Sequence, residues 1–165
     1  MPGLTLGMPM TPAPRRPGAT PTPAGGGAEG FGPVLPDPLF ALVLNNIAYV
    51  NSLVKRNLPE ALQMVTVAVQ LQPTQPAYVD SLGWVEYQLG KYSDAAFHLE
   101  QAVRLYLPQE SAEMYYHLGS AYARLGKKPD ARWALHRALE LDPSYLEAQD
   151  ELRTLSQDLP RPSLT

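Results

Sequence analysis

Residues 82–105, LGWVEYQLGKYSDAAFHLEQAVRL, and residues 118–141, LGSAYARLGKKPDARWALHRALEL, align without a gap at an offset of 36. Leu82, Gly83, Leu89, Gly90, Asp94, Ala95, Leu99, Ala102 and Leu105 recur as Leu118, Gly119, Leu125, Gly126, Asp130, Ala131, Leu135, Ala138 and Leu141. A third, more diverged copy lies upstream in IAYVNSLVKRNLPEALQMVTVAVQLQP, with Ala61, Ala68 and Leu71 falling 34 residues before Ala95, Ala102 and Leu105. Repetition at this period means stacked supersecondary units, each too small to hide its own apolar face.

Within each copy the apolar spacing is helical. Breakers stand at Gln72–Pro76, Leu107–Ser111 and Asp142–Ser144 between copies, and at Gly90 and Gly126 inside them. Each copy is therefore two antiparallel helices joined by a short turn. The expected helices are 38–54, 58–71, 77–89, 93–106, 111–125, 129–141 and 144–157. Gly83 and Gly119 stand mid-helix, where Gly is about 1 kcal/mol worse than Ala, so each should make room for a neighbouring helix. Gly90 and Gly126 should end the first helix of their copies in the left-handed conformation. Ser93 and Pro129 should begin the second, each followed by an acid suited to the helix dipole.

The set resembles the tetratricopeptide repeat (TPR). Tyr115, Leu118, Gly119, Tyr122, Gly126, Ala131, Leu135, Ala138 and Pro143 carry that pattern nearly complete in the third copy. The second copy has Glu86 at the aromatic position. The first keeps Ala48, Ala61, Ala68 and Pro73 but has an extra residue in its turn and no turn glycine. The resemblance implies an all-α fold: a right-handed α-solenoid of about three TPR hairpins (42–75, 76–109 and 112–143) plus a capping helix over 144–157, within a domain of 37–158. It implies a non-catalytic interaction module, a scaffold or adaptor whose first helices line a concave groove for a peptide or helix of a partner protein. The groove-lining positions fall on Asn45, Tyr49 and Ser52, on Asp80, Trp84 and Tyr87, and on Tyr116, Ser120 and Arg124, with Trp84 the foremost candidate for an open contact. The plainer alternative is that Tyr49, Tyr87 and Tyr116 pack between repeats. Family members that clamp the acidic tails of heat-shock chaperones use basic and Asn groups at positions that here hold Asn45, Tyr49, Ser81, Glu113 and His117. Only Asn45 agrees, and Glu113 would repel a carboxylate.

Outside the repeats, residues 1–36 hold half of the Pro, most of the Gly and few large apolar groups, reading as a disordered or extended tail. Its PxxP spacings (Pro9/Pro12, Pro14/Pro17 and Pro33/Pro36) suit either a docking segment or a plain linker. Residues 159–165 form a short C-terminal tail. In the first helix, Leu39, Phe40, Leu42, Val43, Leu44 and Ile47 leave more than one apolar face, which asks for cover. Either the tail folds back over it, or a second chain covers it through homodimerisation or membership of a larger complex. In the second case Leu39, Phe40, Leu42 and Val43 are an assembly surface and the chain a structural subunit.

The formal charge is −3 without a concentrated basic stripe, which argues against a nucleic-acid partner. The absence of cysteine removes disulfides, thiolate nucleophiles and zinc–thiolate sites. His98, His117 and His136 lack metal-ligand spacing, and no Gly-rich phosphate loop follows a strand. No enzyme activity, metal or cofactor is expected. Neither a signal peptide nor an apolar run of about 18 residues is seen, so the expected location is cytoplasmic.

Overall fold

The computed structural model describes residues 37–157. The Pro/Gly segment with its PxxP spacings and the C-terminal tail lie outside the described residues. Those described form seven α-helices and no strand: α1 (Pro38–Leu53), α2 (Leu58–Leu71), α3 (Pro76–Gln88), α4 (Tyr92–Tyr106), α5 (Ala112–Arg124), α6 (Lys128–Leu141) and α7 (Leu146–Gln157).

The helices pair as hairpins α1–α2, α3–α4 and α5–α6, with α7 against α5 and α6. Successive odd-numbered helices touch, α1 with α3, α3 with α5 and α5 with α7, whereas the backbones of α2, α4 and α6 do not closely approach one another. The odd-numbered helices are thus the inner row of a curved stack, an α-solenoid. Its core is shared between neighbours. Ala48, Ala61 and Val65 of the first hairpin bury against Leu82 and Val85 of the second. Ala95, Ala96 and Leu99 of the second bury against Leu118, Ala121 and Ala134 of the third. Tyr115, Ala131, Leu135 and Ala138 close on Ala148 and Leu155 of α7. Burying these apolar groups at the joints is what holds one hairpin on the next.

The mid-helix glycines are at the helix crossings. A Cβ on Gly83 would stand 2.7 Å from Leu99 Cγ and 3.1 Å from the Ala95 carbonyl oxygen. On Gly119 it would stand 2.7 Å from Leu135 Cγ and 3.3 Å from the Ala131 carbonyl oxygen. Gly90 (φ +78°) and Gly126 (φ +74°) are left-handed and close the first helix of each hairpin. The first hairpin has the longer turn, and there Lys55 (φ 51°) and Asn57 (φ 49°) take up the left-handed conformation without glycine.

Helix ends fall within two residues of the expected ones, and the differences have local causes. Tyr92 and Lys128 begin α4 and α6, so Ser93 and Pro129 sit one residue inside; neither helix has a side-chain cap. α7 begins at Leu146 and not 144, because Asp142 Oδ1 accepts hydrogen bonds from the Ser144 backbone N–H (2.9 Å) and hydroxyl (2.6 Å), holding 142–144 as a turn. Where side-chain caps occur, Asp37 accepts from the Leu39 N–H at 2.9 Å and Ser111 from the Met114 N–H at 3.4 Å.

Candidate functional site

The inner row carries a continuous set of rings. Trp84 of α3 is stacked between Tyr87 (centroids 4.7 Å apart, planes at 4°) and His117 of α5 (4.0 Å, 18°). Tyr116 lies 5.8 Å from Trp84 and 5.1 Å from Tyr145, just before α7. Tyr49 of α1 reaches the same group, 6.4 Å from His117. Polar links cross between helices. His117 Nδ1 donates to Asp80 Oδ2 at 2.9 Å in a buried setting, and the Tyr49 hydroxyl donates to Glu113 across the row. The Ser120 hydroxyl donates to Glu151 of α7 at 2.5 Å, and Arg124 donates to the Tyr92 hydroxyl at 2.6 Å with its guanidinium 4.9 Å over that ring.

The nine expected groove residues therefore divide. Asn45, Ser52, Asp80, Trp84 and Ser120 are buried; Tyr49, Tyr87 and Tyr116 are half-buried; Arg124 is exposed. Trp84, expected to offer its ring to solvent, is 6% exposed because His117 and Tyr87 cover its two faces. Ser52 is fully buried, its hydroxyl donating to the Tyr49 carbonyl at 2.6 Å.

Where α1, α3 and α5 converge, they leave a recess of about 200 Å³. Asn45, Tyr49, Asp80 and Glu113 line it, with Ala77, Ser81 and Met114 completing the wall. Asn45 and Asp80 are 6% and 5% exposed, yet Oδ1 of each is buried without a hydrogen-bond partner. Buried acceptors are ordinarily satisfied, so these two mark the recess. Glu113 and Ser81 were met in the sequence as clamp positions and not as members of this wall; the inter-helix register that joins them is a tertiary fact.

Negative charge surrounds the rings. Burial, then the hydrogen bond to Glu113 and the charges of Glu113 and Asp80, push the Tyr49 phenol well above its ordinary value. Burial and the Glu151 carboxylate push Tyr87 up to about 12. Tyr145 is raised by burial, then by Glu113 and Glu147. Tyr116 is raised by burial and by Glu151 and Glu147, against a hydrogen bond with Ser120. Burial also raises the Glu151 carboxyl, opposed by Ser120 and Arg124.

A family model described as "Tetratricopeptide repeat" matches residues 81–145, the span that holds the two gapless copies. A TPR repeat-containing protein of Pseudomonas aeruginosa is 36% identical over 83 residues, covering 50% of this chain; the chain spans only 14% of that relative's length. Among solved structures, the first TPR domain of the human RPAP3 protein superposes with a TM-score of 0.65 at 28% identity, over 73% of this chain and 92% of that one. Residues 81–145 of this chain match tetratricopeptide repeats, and the described helices share that fold. The first TPR of Spaghetti (RPAP3), solved bound to the HSP90 peptide SRMEEVD, is equally similar: TM-score 0.65, 28% identity, 73% of this chain and 94% of that one. YrrB, described as a TPR protein with an unusual peptide-binding site, gives 0.59 at 26% identity, over 70% of this chain and 58% of its own. Tetratricopeptide repeats are protein–protein interaction modules.

The TPR framework explains the departure at Glu86. In the third repeat the aromatic position is Tyr122, whose hydroxyl donates to Glu100 of α4 at 2.8 Å. In the second, buried Glu86 accepts from His98 of α4 at 2.6 Å. Both tie the first helix of a repeat to α4 by a polar bond. Among the described residues, no three His, Cys, Asp or Glu groups are arranged to hold a metal ion, and no helix is long and apolar enough to cross a membrane.

Proposed function

We propose that this chain binds an extended peptide or a helix of a partner protein along the inner row of α1, α3 and α5. The observation that supports this best is the recess between those helices, with its two buried acceptors left unpartnered, Tyr49 half-open in its wall and Tyr116 half-open on the same row. Half-buried tyrosines flanking a pocket suit recognition, because a rigid ring buries much area with little loss of rotamer freedom. The similarity to a TPR domain solved with a bound peptide supports the same reading. The test is a pull-down and peptide selection with residues 37–165 and with the full chain, each repeated with Tyr116→Ala. Binding lost in the variant, at an unchanged helical circular-dichroism spectrum, is the expected result. Binding that ignores Tyr116 and is retained only by the full chain would move the site to the N-terminal segment.

A second reading, attachment within a larger assembly, has its own support in α1. That helix buries Ala41, Asn45, Ala48 and Ser52 and exposes Leu39, Phe40, Leu42 and Val43, with Ile47 and Val50 beside them. At an offset of 35, Val43, Ile47 and Val50 correspond to Tyr78, Leu82 and Val85, which are buried against α2. Val50 is 56% exposed where Val85 is 0% exposed. The bare face thus has the register of a helix seat, and an amphipathic helix packed as α2 packs on α3 would fill it. Leu42→Glu with Val43→Lys should abolish a dimer or complex seen by size exclusion with light scattering, and leave peptide binding nearly intact. A monomer in both the parent and the variant would remove self-association.

A further inference from the structure

The recess between α1, α3 and α5 contains acceptors and carboxylates and no Lys or Arg among its lining residues. Asn45 Oδ1 and Asp80 Oδ1 are both buried and unpartnered. The second oxygen of Asp80 is held by His117 at 2.9 Å, which fixes the carboxylate in the recess wall. Glu113, on α5, adds a second carboxylate at the mouth, held by the Tyr49 hydroxyl. An anionic ligand would meet two negative groups and no donor side chain of opposite charge. A neutral apolar side chain would leave the two buried acceptors unpaired, a state that costs about 1–3 kcal/mol each. A cation with several N–H groups satisfies every one of them. At about 200 Å³ the recess admits one side chain rather than a whole small molecule, since sites for the latter run to roughly 300–1,000 Å³.

We infer that this recess is a guanidinium site that takes an arginine side chain of the bound partner, its planar N–H fork donating to Asn45, Asp80 and Glu113 while the ring of Tyr49 offers a face to its plane. Arginine fits better than lysine because it presents five donors in a fixed plane and stacks on aromatic rings. The four carboxylates around the inner-row tyrosines, Asp80, Glu113, Glu147 and Glu151, give the approach a field of matching sign, which adds to the larger effect of burial in raising the Tyr49 and Tyr145 phenols. This assignment rests on the peptide-groove reading and gives it a chemistry opposite to that of the acidic peptide SRMEEVD, with which the similar Spaghetti domain was solved.

The test selects a displayed library of random decapeptides on the immobilised full chain, then measures resynthesised binders by fluorescence anisotropy. The expected result is a shared arginine whose replacement by citrulline, equal in shape but uncharged, weakens binding roughly tenfold or more, the scale of one charge-assisted hydrogen bond. Glu113→Gln, at an exposed position where the amide oxygen can still accept from Tyr49, should leave the melting curve unchanged and remove most of that discrimination. A nitrogen-15 amide titration with methylguanidinium chloride, against tetramethylammonium chloride at equal ionic strength, should move the Asp80 and Glu113 signals with the first salt alone. Binders that tolerate citrulline, or that share an acidic residue, overturn the arginine assignment and keep the groove. If no library member binds while methylguanidinium still moves those signals, the guanidinium site stands and the peptide groove falls. Silence in both experiments removes both.

Discussion

The first hairpin and the two that follow it reach one geometry with different residues. At the helix crossing, the second and third use Gly83 and Gly119, each so close to a leucine of its partner helix that a Cβ would stand 2.7 Å from that side chain. The first uses Ala48, fully buried against Ala61 and Val65. At the turn, the later hairpins use left-handed glycines, and the first uses an extra residue with Lys55 and Asn57 in that conformation. The backbone path is therefore the shared quantity, and glycine is one way of reaching it. Where glycine is lacking, an alanine at the crossing and left-handed non-glycine residues at the turn take its place.

The largest expected effect comes at a glycine crossing. Gly119→Leu should destabilise the chain by about 1–3 kcal/mol through overpacking against Leu135 and the Ala131 carbonyl. An unchanged thermal midpoint would mean that the crossing tolerates bulk. Next, Gly126→Ala adds no clash, since nothing lies within 4 Å of a Cβ there, but holds a non-glycine residue at φ +74°. It should lower stability by about 1 kcal/mol in denaturant unfolding. The reverse exchange in the first hairpin, Lys55→Gly, should raise stability by about 0.5 kcal/mol, the relief of a left-handed residue less the entropy of a freer unfolded chain. A loss instead would assign Lys55 a role beyond its backbone angle.

The smallest effect concerns pH. Burial raises the Glu151 carboxyl above its unfolded value, so the folded chain holds this proton more tightly than the unfolded chain does. The stability that proton confers is complete below the unfolded value and is lost as pH rises through the folded one. Glu151→Gln should therefore match the parent in acid and melt slightly higher at neutral pH, where the parent buries a charge. A variant that melts lower at neutral pH would mean that the links to Ser120 and Arg124 outweigh the burial.

Much of the stack was legible because its determinants are local. The offset between Leu82 and Leu118, the breakers between copies and the glycine pairs depend only on neighbours in sequence, and the helices lie within two residues of their expected ends. The α7 start fell two residues later than expected because Ser144 is held in a turn by Asp142 and so stays out of the helix. The inner face was legible as a face, not as a surface. The spacing puts Trp84 on it, but only the stacking of α5 on α3 sets His117 over the indole. Likewise, the apolar residues of α1 could be counted in the sequence, but which side of that helix is bare follows from Ala41, Ala48 and Ser52 serving as its packed edge.

The lack of close backbone approach among α2, α4 and α6 has a mechanical consequence. Each of these helices is fastened inward and to the joint beside it, so the stack is bound along one edge like the leaves of a fan. Spreading the free edge parts no close backbone approach between outer helices, whereas lengthening the bound edge would part α1 from α3 and α3 from α5. A guest laid across those three helices would stiffen the edge on which the curvature pivots.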